Sequence, residues 1–179
     1  VLIPPFDDRR VIAGQGTIGL EIAADCPQAD LVIVPVGGGG LISGIAAAVR
    51  AVCPHVSVVG VEPELAADAR DSIRRGERVA WPASDVQRTI ADALRVEQVG
   101  VLPFAHIRQL VTGIVAVTEE EMLATVRRLA SQARLVAEPG GAAGGPGPGP
   151  RPPPPGRGGP PPPRGPCRPP GPPGDRPPG

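Results

Sequence analysis

The chain has 179 residues with 18 basic and 18 acidic side chains, so its formal net charge is zero and its length suits one domain. All 18 basic residues are arginine, which excludes any chemistry within this chain that needs an amine side chain. No apolar run is long enough for a membrane span, no signal peptide opens the sequence, and the three cysteines lack metal-ligand spacing. We therefore expect a cytoplasmic protein without a disulfide framework.

Composition divides the chain in two. Residues 1–143 mix apolar runs with charges of both signs, as a globular protein does. Residues 144–179 are almost only Pro, Gly and Arg, with no Val, Ile, Leu or Phe to bury, so we predict a disordered tail that is partly polyproline II. The tail is basic but has no aromatic side chains to stack on bases, and we expect neither a nucleic-acid nor a membrane partner.

The first predicted elements form one βαβ unit. Residues 16–24 predict a helix, and residues 30–36 (DLVIVPV) form a nearly continuous apolar run, typical of a parallel strand buried on both faces. Residues 41–52 predict a second helix and residues 56–61 a second strand. Strand, glycine-rich turn, helix and strand in this order indicate a right-handed crossover.

The later elements continue the alternation. Residues 64–75 predict a helix that ends near Gly76, residues 89–94 a short helix or turn, residues 104–111 a helix and residues 113–117 a strand. Thr118 and Glu121 fit a capping box that opens a long helix reaching about Val136. The predicted class is α/β, doubly wound.

The run of four glycines, Gly37 to Gly40, lies between the first strand and the second helix. Backbone N–H groups at such a turn can point at an anion, and the helix dipole adds partial positive charge. The alternative is a tight turn with close backbone packing. A phosphate loop of the nucleoside-triphosphatase type is excluded because Ile45 stands where lysine is required. The dinucleotide pattern GxGxxG fails as well, although Glu62 could play the part of the ribose-binding acid, so that alternative stays open.

Six segments together resemble the fold-type-II pyridoxal-phosphate enzymes, in the group of threonine and serine dehydratases and serine racemase. They are VIAGQGTIGLEI (11–22), DLVIVPVGGGGLISGIA (30–46), VVGVEPELAADA (58–69), TIADAL (89–94), IVAVTEEEM (114–122) and RLVAEPGGAA (134–143). The resemblance implies an open, twisted, mostly parallel sheet with helices on both faces, like the β subunit of tryptophan synthase but incomplete. Residues 1–143 would be part of the cofactor-binding catalytic domain.

The resemblance also implies site residues. Gly37, Gly38, Gly39, Gly40 and Leu41 would hold the phosphate of pyridoxal 5'-phosphate. Two carboxylates and a carbonyl would bind Mg²⁺ or another divalent cation, since hard oxygen ligands suit such ions; these are Glu62, Ala66 and Asp68. The alternative is a charge at a helix start, where Glu64 also stands, together with a solvated aspartate.

Other polar positions have less specific patterns. Glu138 matches a glutamate near the cofactor ring; otherwise it is an acid at a helix end where the dipole disfavours it. We expect His55 and His106 to be surface or hydrogen-bonded residues, and Ser43 to serve packing or a helix hydrogen bond.

The sequence departs from this family at both ends. The Schiff-base lysine and its Ser-Phe-Lys motif are absent, and Val1 already falls well inside the family's fold, so we expect the C-terminal part of a longer enzyme. The family pattern stops near residue 143. A frameshift or sequencing error in a GC-rich gene is one hypothesis for the tail, and a natural disordered tail is the other.

The resemblance implies a lyase that deaminates threonine or serine to a 2-oxo acid and ammonia, in amino-acid metabolism such as isoleucine biosynthesis. Serine racemase and 3-hydroxyaspartate ammonia-lyase are alternatives, as is a noncatalytic phosphate- or dinucleotide-binding remnant. The expected partners are a small amino-acid substrate and, for the parent enzyme, further copies of itself. Without a lysine, this chain alone is expected to be inactive.

Overall fold

A computed structural model describes residues 3–145 together with Gly165 and Cys167. Its centre is a three-stranded parallel sheet in the order β1–β2–β3, with β1 at Leu31–Pro35, β2 at Ser57–Pro63 and β3 at Gly113–Val117. The long helices are α1 (Arg9–Asp25), α2 (Gly40–Val52), α3 (Asp68–Arg75), α5 (Val101–Leu110) and α6 (Glu119–Arg128). Two four-residue helices, α4 (Ala83–Val86) and α7 (Pro139–Ala142), complete the set.

Helices cover both faces of the sheet, which confirms the α/β class. One face carries Val32, Val34, Val58 and Ile114, which join the main core with α2 and α5. The opposite face carries Val61, Val115 and Val117, which join a second core with Met122 of α6 and the segment around Ala91 and Leu94. The alternation of strand side chains between two faces explains why two separate cores form.

The expectation that β1 is buried on both faces is wrong. Its side chains alternate: Val32 and Val34 are buried, but Leu31 and Ile33 are each 44% exposed. β2 instead shows the continuous burial of a central strand, from Val58 to Pro63. The difference follows from position, because β1 has a strand neighbour on one side only within the described residues.

Helix α1 lies across α2, and glycines make the crossing close. An added Cβ at Gly19 would lie 2.9 Å from the Ala48 Cβ, and one at Gly44 would lie 2.6 Å from the Gly16 N. The sequence prediction starts α1 at residue 16, whereas the helix begins at Arg9, because Asp8 caps it by accepting the Arg10 N–H at 2.7 Å. The small residues that suggest weak helix propensity are the ones that let the helices touch.

Several predicted boundaries shift for local reasons. Residues 64–66 form a separate 3-10 turn before α3, and α5 begins at Val101 rather than 104 because Pro103 is tolerated in a first helical turn. The capping box of Thr118 and Glu121 is confirmed. Helix α6, however, ends at Arg128 and passes into a π-helical turn, Leu129–Ala133, instead of reaching Val136. A left-handed residue, Arg134, stops it.

The cysteine prediction is wrong in one respect. Cys53, at the end of α2, forms a disulfide with Cys167, which lies 114 positions further along the chain, while Cys26 is free and exposed. Spacing alone gave no sign of this pair. Among the described helices none is long and apolar enough to cross a bilayer. The predicted tail, residues 144–179, lies mostly outside the described residues, so its disorder stays a prediction.

Candidate functional site

The glycine turn joins the end of β1 to the start of α2. Gly39 is the N-cap of α2 with φ at 87°, in the left-handed region that favours glycine, and Gly40 is the first helical residue. The Ser43 hydroxyl donates to the Gly39 carbonyl oxygen at 2.7 Å, which confirms its expected role as a helix hydrogen bond. The turn is therefore a defined structure at the N-terminus of a 13-residue helix.

Close packing explains why side chains are absent from this turn. An added Cβ at Gly39 would lie 2.8 Å from the Pro103 Cβ, and one at Gly40 would lie 3.0 Å from the Phe6 Cα. An added Cβ at Gly38 would collide with the Phe6 ring. Packing alone therefore accounts for glycine at these three positions, and the case for an anion site must rest on hydrogen-bonding groups.

Those groups are the backbone amides. Within the described residues, no hydrogen bond begins at the N–H groups of residues 37–42, whereas the next amide, Ser43, donates to the Gly39 carbonyl oxygen at 3.1 Å. Gly38, Gly39, Gly40 and Ile42 are buried, so their unpaired donors carry a desolvation cost. A set of consecutive unpaired donors at a helix N-terminus fits a phosphate group, with the dipole of α2 favouring negative charge.

Two distant segments lie beside the turn. The Leu94 Cα would be 3.3 Å from a Cβ at Gly37, and the Leu94 Cγ would be 3.5 Å from a Cβ at Gly140 in α7. The predicted turn at 89–94 thus contains a 3-10 turn, Asp92–Leu94, between the glycine turn and α7. Glu119 secures this segment, since its Oε2 accepts the Ile90 N–H at 2.7 Å.

Glu138 is the N-cap of α7 and is exposed, and its Oε1 would lie 3.2 Å from a Cβ at Gly140. The expectation of an unfavourable helix end is wrong, because Glu138 stands at the N-terminus of α7 and not at the C-terminus of the preceding helix. Leu94 lies between Gly140 and Gly37, so one bridging segment joins the region of Glu138 to the glycine turn.

Glu62 and Asp68 form a buried acidic pair at the N-terminus of α3. Both Glu62 oxygens accept backbone N–H groups, Oε1 from Ala69 at 3.0 Å and Oε2 from Arg70 at 2.8 Å. The Asp68 Oδ2 accepts the Val99 N–H at 2.7 Å. The Glu62 and Asp68 side chains are 0% and 1% exposed, so the alternative of a solvated aspartate is wrong.

Burial governs the ionisation of this pair. Desolvation, with the nearby Asp68 charge second, raises the pKa of Glu62 well above its usual value. Desolvation also raises the pKa of Asp68 to about 6. Ala66 is buried in the 3-10 turn, two positions before Asp68. No cluster of three or more acidic, His or Cys side chains suited to a metal is found in the part of the chain that the structure describes.

The two histidines differ. The His106 Nδ1 lies 2.8 Å from the Leu102 carbonyl oxygen, which confirms a hydrogen-bonded residue. His55 is only 9% exposed and its Nδ1 has no partner among the described residues, so the expectation of a satisfied or surface side chain is wrong for His55.

Sequence reasoning missed Phe6, Asp7 and Glu119. Phe6 packs on the glycine turn, and Asp7 accepts N–H groups at the start of α5. The pair of aspartates before α1 carried a capping signal that was available in the sequence. Nothing local marks Phe6 or Glu119, because their partners lie far along the chain.

Comparison with known proteins extends these observations. The family model described as pyridoxal-phosphate dependent enzyme matches residues 1–147. An L-threonine ammonia-lyase of Thermotoga maritima is 46% identical over 146 residues, 80% of this chain and 35% of that protein. The catabolic L-threonine dehydratase TdcB of Escherichia coli is 42% identical over 142 residues, 79% of this chain and 42% of that protein.

Solved structures give the same result. The processed form of threonine deaminase isoform 2 from Solanum lycopersicum is 40% identical with a TM-score of 0.76, covering 79% of this chain and 40% of that one. Maize serine racemase is 35% identical with a TM-score of 0.76, covering 80% of this chain and 43% of that one. The chain thus spans less than half of the length of these relatives. With a parallel sheet flanked by helices and unpaired amides at its glycine turn, the chain belongs to the pyridoxal-phosphate dependent enzyme family.

Proposed function

We propose that this chain carries the phosphate-binding part of a pyridoxal-phosphate-dependent ammonia-lyase that acts on a β-hydroxy amino acid, threonine or serine. The observation that carries the proposal is the row of unpaired backbone N–H groups from residue 37 to residue 42 at the start of α2. We propose the cofactor from the family, and the reaction from the threonine ammonia-lyases among the relatives.

Each site residue has a distinct part in this proposal. The amides of Gly37, Gly38, Gly39, Gly40 and Leu41 bind the cofactor phosphate, as the helix N-terminus favours an anion. Bound pyridoxal phosphate supplies an electron sink for bond cleavage at the substrate's α-carbon. Glu138 lies at the edge of this region, where it is exposed and near Gly140, and it orients the cofactor ring.

The chain cannot bind the cofactor through a lysine Schiff base because it contains no lysine. We therefore expect noncovalent binding without turnover. The purified 179-residue chain should release no ammonia from threonine or serine in the presence of pyridoxal phosphate. Measurable ammonia release would contradict this part of the proposal.

The substrate is proposed from the relatives alone. We take threonine as the first choice of substrate because the relatives from Thermotoga maritima and Escherichia coli are named for threonine. An L-threo-3-hydroxyaspartate ammonia-lyase of Saccharomyces cerevisiae is 41% identical, and maize serine racemase shares the fold, so these reactions remain alternatives. We further propose that the parent enzyme is a homo-oligomer in the cytoplasm. Its pathway would be amino-acid metabolism, with isoleucine biosynthesis as the example. One observation disfavours the cytoplasm: Cys53 and Cys167 form a disulfide, and disulfides are rare in reducing compartments.

A second proposal concerns a divalent cation at Glu62, Asp68 and the Ala66 carbonyl. The support is two buried carboxyl groups in which the Asp68 charge helps to raise the pKa of Glu62, an unfavourable interaction that a cation such as Mg²⁺ would relieve. Against it, both Glu62 oxygens already accept amide N–H groups, so each would have to share its lone pairs. A rise in melting temperature with Mg²⁺ that Asp68→Asn abolishes would support the site, and equal melting temperatures with Mg²⁺ and with chelator would contradict it.

The dinucleotide alternative is disfavoured by the same contacts. A ribose-binding acid needs free oxygens at the end of β2, yet both Glu62 oxygens accept N–H groups from α3. Titration with NAD and with pyridoxal phosphate separates the two proposals. Binding of NAD in preference to pyridoxal phosphate would support a dinucleotide site instead.

The decisive experiment is a titration of the full chain with pyridoxal phosphate and with inorganic phosphate, followed by amide NMR. We expect chemical-shift changes at residues 37–41. Gly38→Ala displaces the Phe6 ring and should weaken binding more than tenfold. Gly14→Ala is the matched control, because within the described residues no atom beyond its own helix backbone lies within 4 Å of an added Cβ there, and binding should be unchanged. Equal affinities of the two variants, or shifts only elsewhere in the chain, would refute the phosphate site.

A further inference from the structure

The residues just before α1 contact the glycine turn directly. The Phe6 Cα and Cβ would each lie 3.0 Å from an added Cβ at Gly40, and its ring covers Gly38. Phe6 is half-buried. One side of the turn is therefore formed by a side chain more than thirty positions earlier in the chain.

The next residue, Asp7, is fixed to a different element. Its Oδ2 accepts the Val101 N–H at 2.8 Å and its Oδ1 accepts the Leu102 N–H at 2.9 Å. Both donors belong to the first turn of α5, where a negative charge is favoured by the helix dipole and satisfies otherwise unpaired amides. Asp7 is thus a long-range cap of α5, although it lies 94 positions away in sequence from Val101.

Helix α5 also contacts the glycine turn. The Gly100 N–H donates to the Gly38 carbonyl oxygen at 3.1 Å, and Pro103 packs against Gly39. A closed ring of contacts results: Phe6 to Gly38, Gly38 to the start of α5, and the start of α5 back to Asp7. The Gly100 N–H therefore holds the Gly38 carbonyl, and the Phe6 ring covers the Gly38 Cα.

We propose that Phe6 and Asp7 are positioning residues that hold the glycine turn with its amides directed toward a phosphate group. The proposal rests on the proposed function, since the anion is the cofactor's phosphate. Asp7 acts through α5 and Gly38, and it makes no contact with the anion. Without Asp7, the start of α5 is released, and the Gly100 hydrogen bond no longer fixes the turn.

Asp8 provides a matched control next in sequence. It accepts the Arg10 N–H at 2.7 Å and pairs with the Arg10 guanidinium at 2.9 Å, so it caps α1 and has no hydrogen bond to α5 or the turn. Substitution of Asp7 or Asp8 removes one aspartate cap in each case. The two variants therefore lose comparable cap stabilisation, but only one of them is connected to the site.

The experiment measures phosphate affinity and glycine amide shifts for the full chain and for Asp7→Ala, Asp7→Asn, Phe6→Leu and Asp8→Ala. We expect Asp7→Ala to weaken the binding of inorganic phosphate and pyridoxal phosphate about tenfold, within the range of a lost cap. Asp7→Asn, which keeps one acceptor oxygen, should recover part of the affinity. Asp8→Ala should lower the melting temperature about as much as Asp7→Ala does, but its phosphate affinity should stay within about twofold of the wild type.

The amide shifts of residues 37–40 in the ligand-free protein give an independent readout. They should move in Asp7→Ala and Phe6→Leu but not in Asp8→Ala. If the wild type binds neither ligand while these shifts still move, the phosphate site is refuted and the positioning holds. If the wild type binds and Asp7→Ala binds equally well, the positioning is refuted and the phosphate site stands. Should Asp7→Ala fail to fold, Phe6→Leu decides by the same criteria.

Discussion

The crossing of α1 and α2 predicts opposite effects for two identical substitutions. Gly44 lies in α2 where α1 passes closest. Gly14 lies in α1, where no described atom outside the helix's own backbone would be within 4 Å of an added Cβ. Alanine at either position gains roughly 0.5–1 kcal/mol of helix stability over glycine. Only at Gly44 does the new methyl group also meet another backbone.

The size of that clash follows from the structure. An added Cβ at Gly44 would lie 2.8 Å from the Gln15 carbonyl carbon and 2.6 Å from the Gly16 N. Nonbonded carbons are optimally spaced at about 3.5–4.0 Å, so α1 would have to move away by about 1 Å. Such a shift weakens dispersion contacts along the crossing. Overpacking of this kind costs about 1–3 kcal/mol, which outweighs the gain in helix propensity.

Urea denaturation followed by circular dichroism checks the prediction. We expect Gly44→Ala to lower the unfolding midpoint by about 0.5–1 M, given a slope of about 1–3 kcal/mol/M, and Gly14→Ala to raise it slightly. Equal midpoints for the two variants would refute the close crossing. A stabilised Gly44→Ala would show that α1 is not docked on α2 in solution.

Three further predictions concern stability. Thr118→Ala removes the capping box of α6 and should cost about 1 kcal/mol in thermal or chemical unfolding, whereas Thr17→Ala, an exposed position inside α1, should not destabilise. With divalent cations chelated, the raised pKa of Asp68, about 6 against the usual 3.8, means that the folded chain binds a proton that the unfolded chain releases. Stability should therefore fall as pH rises from about 4 to about 6, and Asp68→Asn should flatten this fall by on the order of 1–3 kcal/mol; an unchanged profile would contradict the raised pKa. Reduction of the disulfide between Cys53 and Cys167 should lower the free energy of unfolding by about 2–4 kcal/mol in denaturation with and without reductant, while Cys26→Ser has no effect on that difference.

Patterns that depend on near neighbours were read correctly from the sequence. The capping box at Thr118 needs only the glutamate three positions on, and the βαβ order needs only alternating apolar runs. The anion site was predicted from the glycine run, but the structure changes its justification. Three of the glycines are required by packing against Phe6 and Pro103, and the unpaired amides carry the argument for phosphate.

Contacts between distant residues could not be predicted in this way. The exposure of Leu31 and Ile33 depends on which strands pair, and an apolar run looks the same on an edge strand as in the centre. The aspartate cap marks the start of α1 in the sequence, but the contact with α2 that offsets the low helix propensity of Gly14 and Gly16 does not, so the predicted start at residue 16 is too late. The pairing of Cys53 with Cys167 is another contact of this kind.

The run from Phe6 to Asp8 has a thermodynamic consequence. Three consecutive side chains each contact a different element: Phe6 contacts the glycine turn, Asp7 contacts α5 and Asp8 contacts α1. Any ligand that stabilises the turn must then stabilise the docking of α1 by the same free energy by which docked α1 strengthens binding of that ligand. A probe on the outer surface of α1, remote from the amides, would therefore report occupancy of the site.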